Sequence, residues 1–154
     1  MTEHSAAHAT FVIERTYDAL PARVFKAFAD KEAKARWFSG PVDKWTLVLR
    51  ETDFRVGGQE RANGQFAGGP LSQFHAHYLD IVPDRRIVYS YVMHLDDRKI
   101  SVSLATVEIA PAGTGARLVI TEQGVFLDGY DDAGSRERGT GWLMDQLGAS
   151  LRDD

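Results

Sequence analysis

The strongest constraint in this chain lies at its carboxy-terminal end, from Asp132 to Asp154. From Ser135 onward, Trp142, Leu143, Gln146, Leu147, Ser150 and Leu151 recur at steps of three and four, the period of one helix face. Asp131, Asp132 and Ser135 offer N-cap oxygens, and the stretch holds no proline. Gly139, Gly141 and Gly148 sit inside the run, each costing roughly 1 kcal/mol of helix propensity against alanine. Such a helix forms only when pressed onto something. The glycines are expected to let its backbone approach a sheet closely.

The upstream chain supplies that sheet. Thr10–Tyr17 alternates as a short strand and stops at Asp18-Ala-Leu-Pro21. Val24, Phe25, Phe28 and Ala29 make a helical stripe, and a second short helix follows with Ala33, Arg36 and Trp37. Strands are expected over Trp45–Arg50, from Asp53 through the bend at Gly57-Gly58, and over Ser72–Val82, Arg86–Met93, Lys99–Ile109 and Ala116–Gln123. Asn63-Gly64 reads as a hairpin signal and Gly68-Gly69-Pro70 as a loop. The order is one strand, two short helices, about six antiparallel strands and a long helix. This is an α+β chain whose curved antiparallel sheet, of about six to seven strands, wraps the last helix. A sheet bent round one helix leaves room between them, a common place for a small molecule. Residues 10–154 form one domain by this reading, after a mobile N-terminus over residues 1–9.

Several function classes are set aside by composition. The formal net charge is −4 with no Lys/Arg block, so nucleic acid is not an expected partner. The chain has no cysteine, which excludes disulfides, thiolate metal sites and a cysteine nucleophile, and suits a cytoplasmic location. No apolar run approaches the roughly 18 residues that span a bilayer, so no membrane is expected. The polar opening lacks the basic end and apolar core of a signal peptide.

Separated motifs then resemble a known family. Arg15-Thr-Tyr-Asp-Ala, Val24-Phe25-Lys-Ala-Phe28 and Ala35-Arg-Trp37-Phe look like the opening of the SRPBCC superfamily, the START or birch-pollen-allergen-like helix-grip fold. Arg55-Val-Gly57-Gly58, the stretch from Tyr78 to Tyr89, Thr121-Glu-Gln-Gly-Val-Phe126 and Gly141-Trp142 are similar to the branch of heat-shock-protein-90 ATPase activator homologues. The resemblance spans roughly residues 10–152. Relatives often carry His three residues before the Gly that precedes this Trp; here the position is Arg138. The eukaryotic co-chaperone has an additional domain for which this short chain has no room, so a chaperone partner is not expected.

The candidate binding wall follows from strand period. If Ile87 points inward, so do Tyr89, Tyr91 and Met93. Val102, Leu104 and Thr106 share a face, as do Leu118, Ile120 and Glu122, and Trp37, Phe66, Phe74, Phe126 and Trp142 could close the ends. These residues either fill a core or line a cavity for a small hydrophobic ligand. The polar atoms of the Tyr, Trp and Glu side chains favour the cavity. Glu122 beside apolar groups would be a carboxyl raised by desolvation, either a proton carrier or a strand-end acid paired with Arg138 or another arginine.

His75 and His77 share a strand face, and His94 is near Asp96 and Asp97. No motif fixes a third ligand, so they read as surface histidines and no metal is assigned. The glycine pairs lack the context of a phosphate loop, and no nucleophile elbow is visible. No cofactor is implied. The Asp128–Asp132 loop reads as a mobile lid with capping duty. Three functions stay open: binding of a small hydrophobic molecule, an enzyme of cyclase or hydrolase type in the same cavity, and a protein-interaction module. An exposed edge strand also leaves a homodimer open.

Overall fold

A computed structural model describes residues 4–152. The N-terminal strand β1 (Ala6–Tyr17) is followed by two short helices, α1 (Pro21–Ala29) and α2 (Lys31–Ala35). Six strands come next: β2 (Trp45–Thr52), β3 (Gln59–Phe66), β4 (Leu71–Val82), β5 (Arg86–Leu95), β6 (Arg98–Ala112) and β7 (Gly115–Leu127). Helix α3 (Ala133–Arg152) ends the described chain. The strands form one antiparallel sheet in the order β1-β7-β6-β5-β4-β3-β2. Bulges at Leu47/Leu49, Tyr78/Asp80 and Met93/His94 help to bend it. This is the helix-grip arrangement.

The turns that hold the meander together are those marked by local chemistry. Asp84, Asp96 and Gly113 take positive φ between β4 and β5, β5 and β6, and β6 and β7. Asn63-Gly64 is a correction: it lies inside β3, paired with Gln73 and Ser72 of β4. A Cβ on Gly64 would stand 1.8 Å from Cε2 of Trp45, so this glycine makes room for an indole instead of turning the chain. The Asp53–Gly58 segment, expected to open a strand, is the β2–β3 turn. It is closed by Asp53 N–H donating to the Gln59 carbonyl at 2.9 Å, with Gly57 at φ 86°.

The amino terminus is a second correction. Residues 6–9, expected to be mobile, extend β1 by pairing Ala6–Ala9 with Leu127–Gly124 of β7. The long β7 offers backbone partners that a local hydropathy pattern cannot reveal. The expectation for residues 1–3 lies outside the described residues.

Helix α3 is capped as its sequence suggests. Asp132 Oδ1 accepts from Ser135 N–H, and Asp131 Oδ1 from Asp132 N–H, both at 2.8 Å. The helix lies against β1 inside the curve. Tyr17 donates its hydroxyl to the Met144 carbonyl at 2.7 Å, and a Cβ on Gly148 would come within 3.0 Å of the Tyr17 ring. The core joins Val107, Leu118, Ile120 and Ile87 of the sheet to Met144 and Leu147 of α3 and Val24 of α1.

Strand β6 corrects the predicted wall. Ser101, Ser103, Ala105, Val107 and Ile109 face inward, whereas Val102, Leu104 and Thr106 lie on the outer face. Across the ladder Tyr89 faces Ala105 and Tyr91 faces Ser103. Two phenol rings side by side on β5 need small neighbours, and that packing requirement sets the phase of β6.

Candidate functional site

Between the concave sheet, α3 and the chain after α2 lies a cavity of about 340 Å³. Of the residues singled out above, Trp37, Phe66, Phe74, Tyr89, Tyr91, Met93, Ile120, Glu122 and Trp142 line it. Leu104, Phe126 and Arg138 do not. Leu104 is on the outer face, and Phe126 is buried beneath the guanidinium of Arg136, 5.3 Å from its ring centre. Arg138 is exposed.

Aromatic rings make much of the wall. Phe38, Phe74, Tyr89 and Tyr91 meet in sequence, with ring centres 4.9 Å, 6.5 Å and 5.9 Å apart along that chain. Trp37 donates its Nε1–H to the Ala27 carbonyl at 2.9 Å, which pins the end of α2 to α1. Trp142 of α3 is 40% exposed, the fraction expected of a ring with one face in the opening and one in solvent.

One polar cluster is built around Glu122, which is 4% exposed. Tyr91 donates its hydroxyl to Oε1, and Thr140 donates to Oε2 at 3.3 Å. Arg136 donates to the Tyr91 hydroxyl at 3.1 Å, to Ser101 Oγ at 2.8 Å and to Asp131 Oδ2 at 3.0 Å. Burial raises the Glu122 carboxyl above its ordinary range, opposed by the Tyr91 hydrogen bond, the Arg136 charge and Thr140. Tyr89 and Tyr91 are both pushed well above the ordinary phenol value, first by burial and then by the Glu122 charge.

The arginine facing Glu122 is therefore Arg136, not Arg138. Helix geometry gives the reason. Arg136 precedes Thr140 and Met144 at four-residue steps, and both are buried; Arg138 falls about 200° away on the opposite face. The period that sets the apolar face of α3 runs back into its first turn, where Arg136 is the residue it turns inward.

A second cluster, around Lys34, escaped the sequence reading. Lys34 lines the cavity and is 5% exposed; Glu60, behind it, is 1% exposed. Their ion pair measures 2.7 Å from Nζ to Oε1, and Tyr78 donates its hydroxyl to the same oxygen. The Lys34 ammonium lies 4.6 Å from the Phe38 ring centre and 5.9 Å from those of Phe74 and Tyr89. Arg50 donates to the Phe38 carbonyl at 2.6 Å, tying β2 to the segment after α2. Burial pulls the Arg50 guanidinium below its ordinary range, against the charge of Glu60. A usable signal existed for Lys34: it precedes Trp37 and Phe38 by three and four residues and so shares their side of the chain. Glu60 gave a weaker one, alternating with Ala62 and Gly64 along β3.

His75 and His77 sit side by side on the outer face, ring centres 4.8 Å apart, with His75 Nε2 2.8 Å from Gln59 Oε1. Among the described residues, no group of three or more His, Asp or Glu side chains is arranged to hold a metal ion. No described helix is long and apolar enough to cross a membrane.

Comparison with known proteins agrees with this architecture. The family model for the Activator of Hsp90 ATPase homolog 1-like protein matches residues 18–152. A solved structure of a protein from Rhizobium leguminosarum, described as uncharacterised, is 45% identical with a TM-score of 0.94, covering 99% of this chain and 100% of its own. A protein from Rhizobium loti is 48% identical with a TM-score of 0.88, covering 96% and 99% respectively. One from Chromobacterium violaceum is 31% identical with a TM-score of 0.78, over 94% and 98%. No functionally curated protein matches. A helix gripped by a seven-stranded sheet, matched over nearly its whole length by these relatives, means that the chain belongs to the Activator of Hsp90 ATPase homolog 1-like family of the SRPBCC superfamily.

Proposed function

We propose that this protein binds a small, largely hydrophobic molecule in the cavity between sheet and α3. The observation that carries the reading is the cavity itself: about 340 Å³ of space, walled by aromatic rings and reached by a few fixed polar groups. Ligand sites combine these features, whereas a solid core would fill such a volume with side chains. A cytoplasmic location belongs to the same proposal, supported by the cysteine-free composition.

The test uses a neutral apolar fluorophore, N-phenylnaphthylamine. Wild-type protein should take it up, and Ala62→Phe, which places a ring in the cavity wall, should fold normally and lose uptake. A solid interior gives the opposite pattern: no uptake by the wild type, and overpacking that destabilises Ala62→Phe by about 1–3 kcal/mol. Native mass spectrometry of the freshly purified protein, followed by extraction, would identify any co-purified molecule.

Catalysis in the same cavity has one specific support. Glu122 is a buried carboxyl with a raised proton affinity, and Lys34 is a second polar group on the same lining. Turnover of an extracted ligand that is lost in Glu122→Gln while binding survives would favour an enzyme. Association with a chaperone, which the family description names for a homologue, draws less support. Apart from Leu47 and Val48, which adjoin on β2, the exposed large apolar side chains are scattered, among them Val12 on β1, Leu79 on β4 and Val102 on β6.

A further inference from the structure

The two polar clusters differ in how completely their groups are matched. At the Glu122 end both carboxylate oxygens accept hydrogen bonds, and Arg136 is ion-paired with Asp131. At the Lys34 end the charges do not cancel. Two cations lie near the Phe38 ring, the Lys34 ammonium at 4.6 Å and the Arg50 guanidinium carbon at 5.8 Å. A single carboxylate, Glu60, stands against both, ion-paired with the first and not with the second. Arg50 Nε and Nη1 and Glu60 Oε2 are buried without a hydrogen-bond partner. Buried groups in that condition are rare in native proteins. The two Arg50 nitrogens mark a shortage of acceptors beside the cations, while all three atoms lie off the cavity lining, so it is the charge excess and not these atoms that a ligand could meet.

Only one of these three charged groups lines the cavity: Lys34. Its ammonium has three N–H donors, and one is committed to Glu60. Building on the cavity reading above, we infer that Lys34 anchors a carboxylate at one end of an otherwise apolar ligand. The added anion turns two cations and one carboxylate into two of each, so the local charge cancels. The anion itself gains a charge-assisted hydrogen bond inside an aromatic enclosure. The other end of the cavity disfavours a second carboxylate: Glu122 already occupies it with both oxygens matched, and the Arg136 guanidinium that also lines it is already paired with Asp131. The ligand class is therefore an apolar monocarboxylate, held in one orientation, and not a neutral hydrocarbon or a dicarboxylate.

The experiment measures displacement of N-phenylnaphthylamine by decanoate, decanol and decanedioate, three chains of equal length. Decanoate should displace the probe from the wild type about ten-fold better than either of the others. In the double variant Lys34→Met/Glu60→Gln, which removes both partners together, the preference for acid over alcohol should fall to about one while probe binding persists. Arg138→Ala, on the exposed side of α3, should keep the wild-type preference.

Equal or better displacement by decanol in the wild type overturns the inference. So does a preference that survives in the double variant, or a dicarboxylate that competes as well as the monocarboxylate. If the double variant does not fold, the three-way comparison on wild-type protein decides the matter alone. Failure of the wild type to take up the neutral probe is a different outcome: it removes the cavity reading and this inference with it.

Discussion

Replacing Lys34 by methionine isolates the most exposed-to-risk interaction of the interior. Lys34 and Glu60 are joined at 2.7 Å, with side chains 6% and 0% exposed, so solvent screens the pair very little. Methionine keeps most of the apolar stem and removes the ammonium. Glu60 then retains one donor, the Tyr78 hydroxyl, and its second oxygen remains unmatched. Stranding one member of a buried ion pair typically costs about 3–5 kcal/mol, whereas replacing both members is often nearly neutral. Lys34→Met should therefore lose about 3–5 kcal/mol, a large part of the stability of a domain this size. Lys34→Met/Glu60→Gln should recover about 2–3 kcal/mol of that loss, because the glutamine still accepts from Tyr78 without carrying a charge. Urea unfolding followed by the fluorescence of Trp37, Trp45 and Trp142 reads these differences as shifts in midpoint at constant slope. A cost under about 1 kcal/mol for the single variant, with strictly additive behaviour in the double, would refute the assignment of Lys34 and Glu60 as a coupled buried pair.

Further outcomes follow from the same geometry. Arg136→Met, which removes donors to Tyr91, Ser101 and Asp131, should cost about 2–4 kcal/mol in urea unfolding, and Arg138→Ala should stay within about 0.5 kcal/mol of wild type; equal effects would mean the wrong arginine has been placed at Glu122. Glu122→Gln should change the pH dependence of stability. The folded state holds the Glu122 carboxyl above its unfolded value, so the stabilisation from its proton is complete below about pH 4.3 and lost as pH rises through the raised folded value. The variant, neutral throughout, should gain on the wild type across that rise, and parallel melting-temperature curves between about pH 4 and pH 8 would contradict this. Gly64→Ala should force the Trp45 ring from its seat, with a loss of about 1–3 kcal/mol and a changed tryptophan emission; an unaltered spectrum would show that the indole does not pack there.

The architecture was legible wherever local chemistry and global packing ask for the same thing. Helix α3 announced itself because its caps, its lack of proline and its apolar period all agree with its place against the sheet. The meander was legible because its hairpins turn at Pro83-Asp84, Asp96-Asp97 and Gly113-Thr114, where positive φ is needed. Misreadings arose where one residue serves a distant partner. Asn63-Gly64 has the composition of a hairpin, yet Gly64 is small on behalf of Trp45, a residue on the neighbouring strand. Nothing local distinguishes those two uses of glycine. Lys34 and Glu60 lie 26 positions apart on a helix and a strand, and no periodicity links them.

The inverted phase of β6 explains why an apolar pattern locates a cavity less well than a core. Inward positions on β5 and β7 carry Ile87, Tyr89, Tyr91 and Leu118, Ile120, Glu122, while β6 between them turns in Ser101, Ser103 and Ala105. Hydropathy favours the other face of β6, with Val102 and Leu104, because it weighs each strand alone. Packing weighs them together: a strand between two rows of large side chains needs small ones. On β3 the inward positions are Glu60, Ala62 and Gly64, again small apart from the acid. There the large neighbours do not close over them fully, and Ala62 is left on the cavity wall. Small inward residues thus have two consequences in one sheet. Beneath Tyr89 and Tyr91 they seat rings; beside Lys34 and Phe38 they leave space, and the polar groups that face that space are the ones a hydrophobic period cannot report.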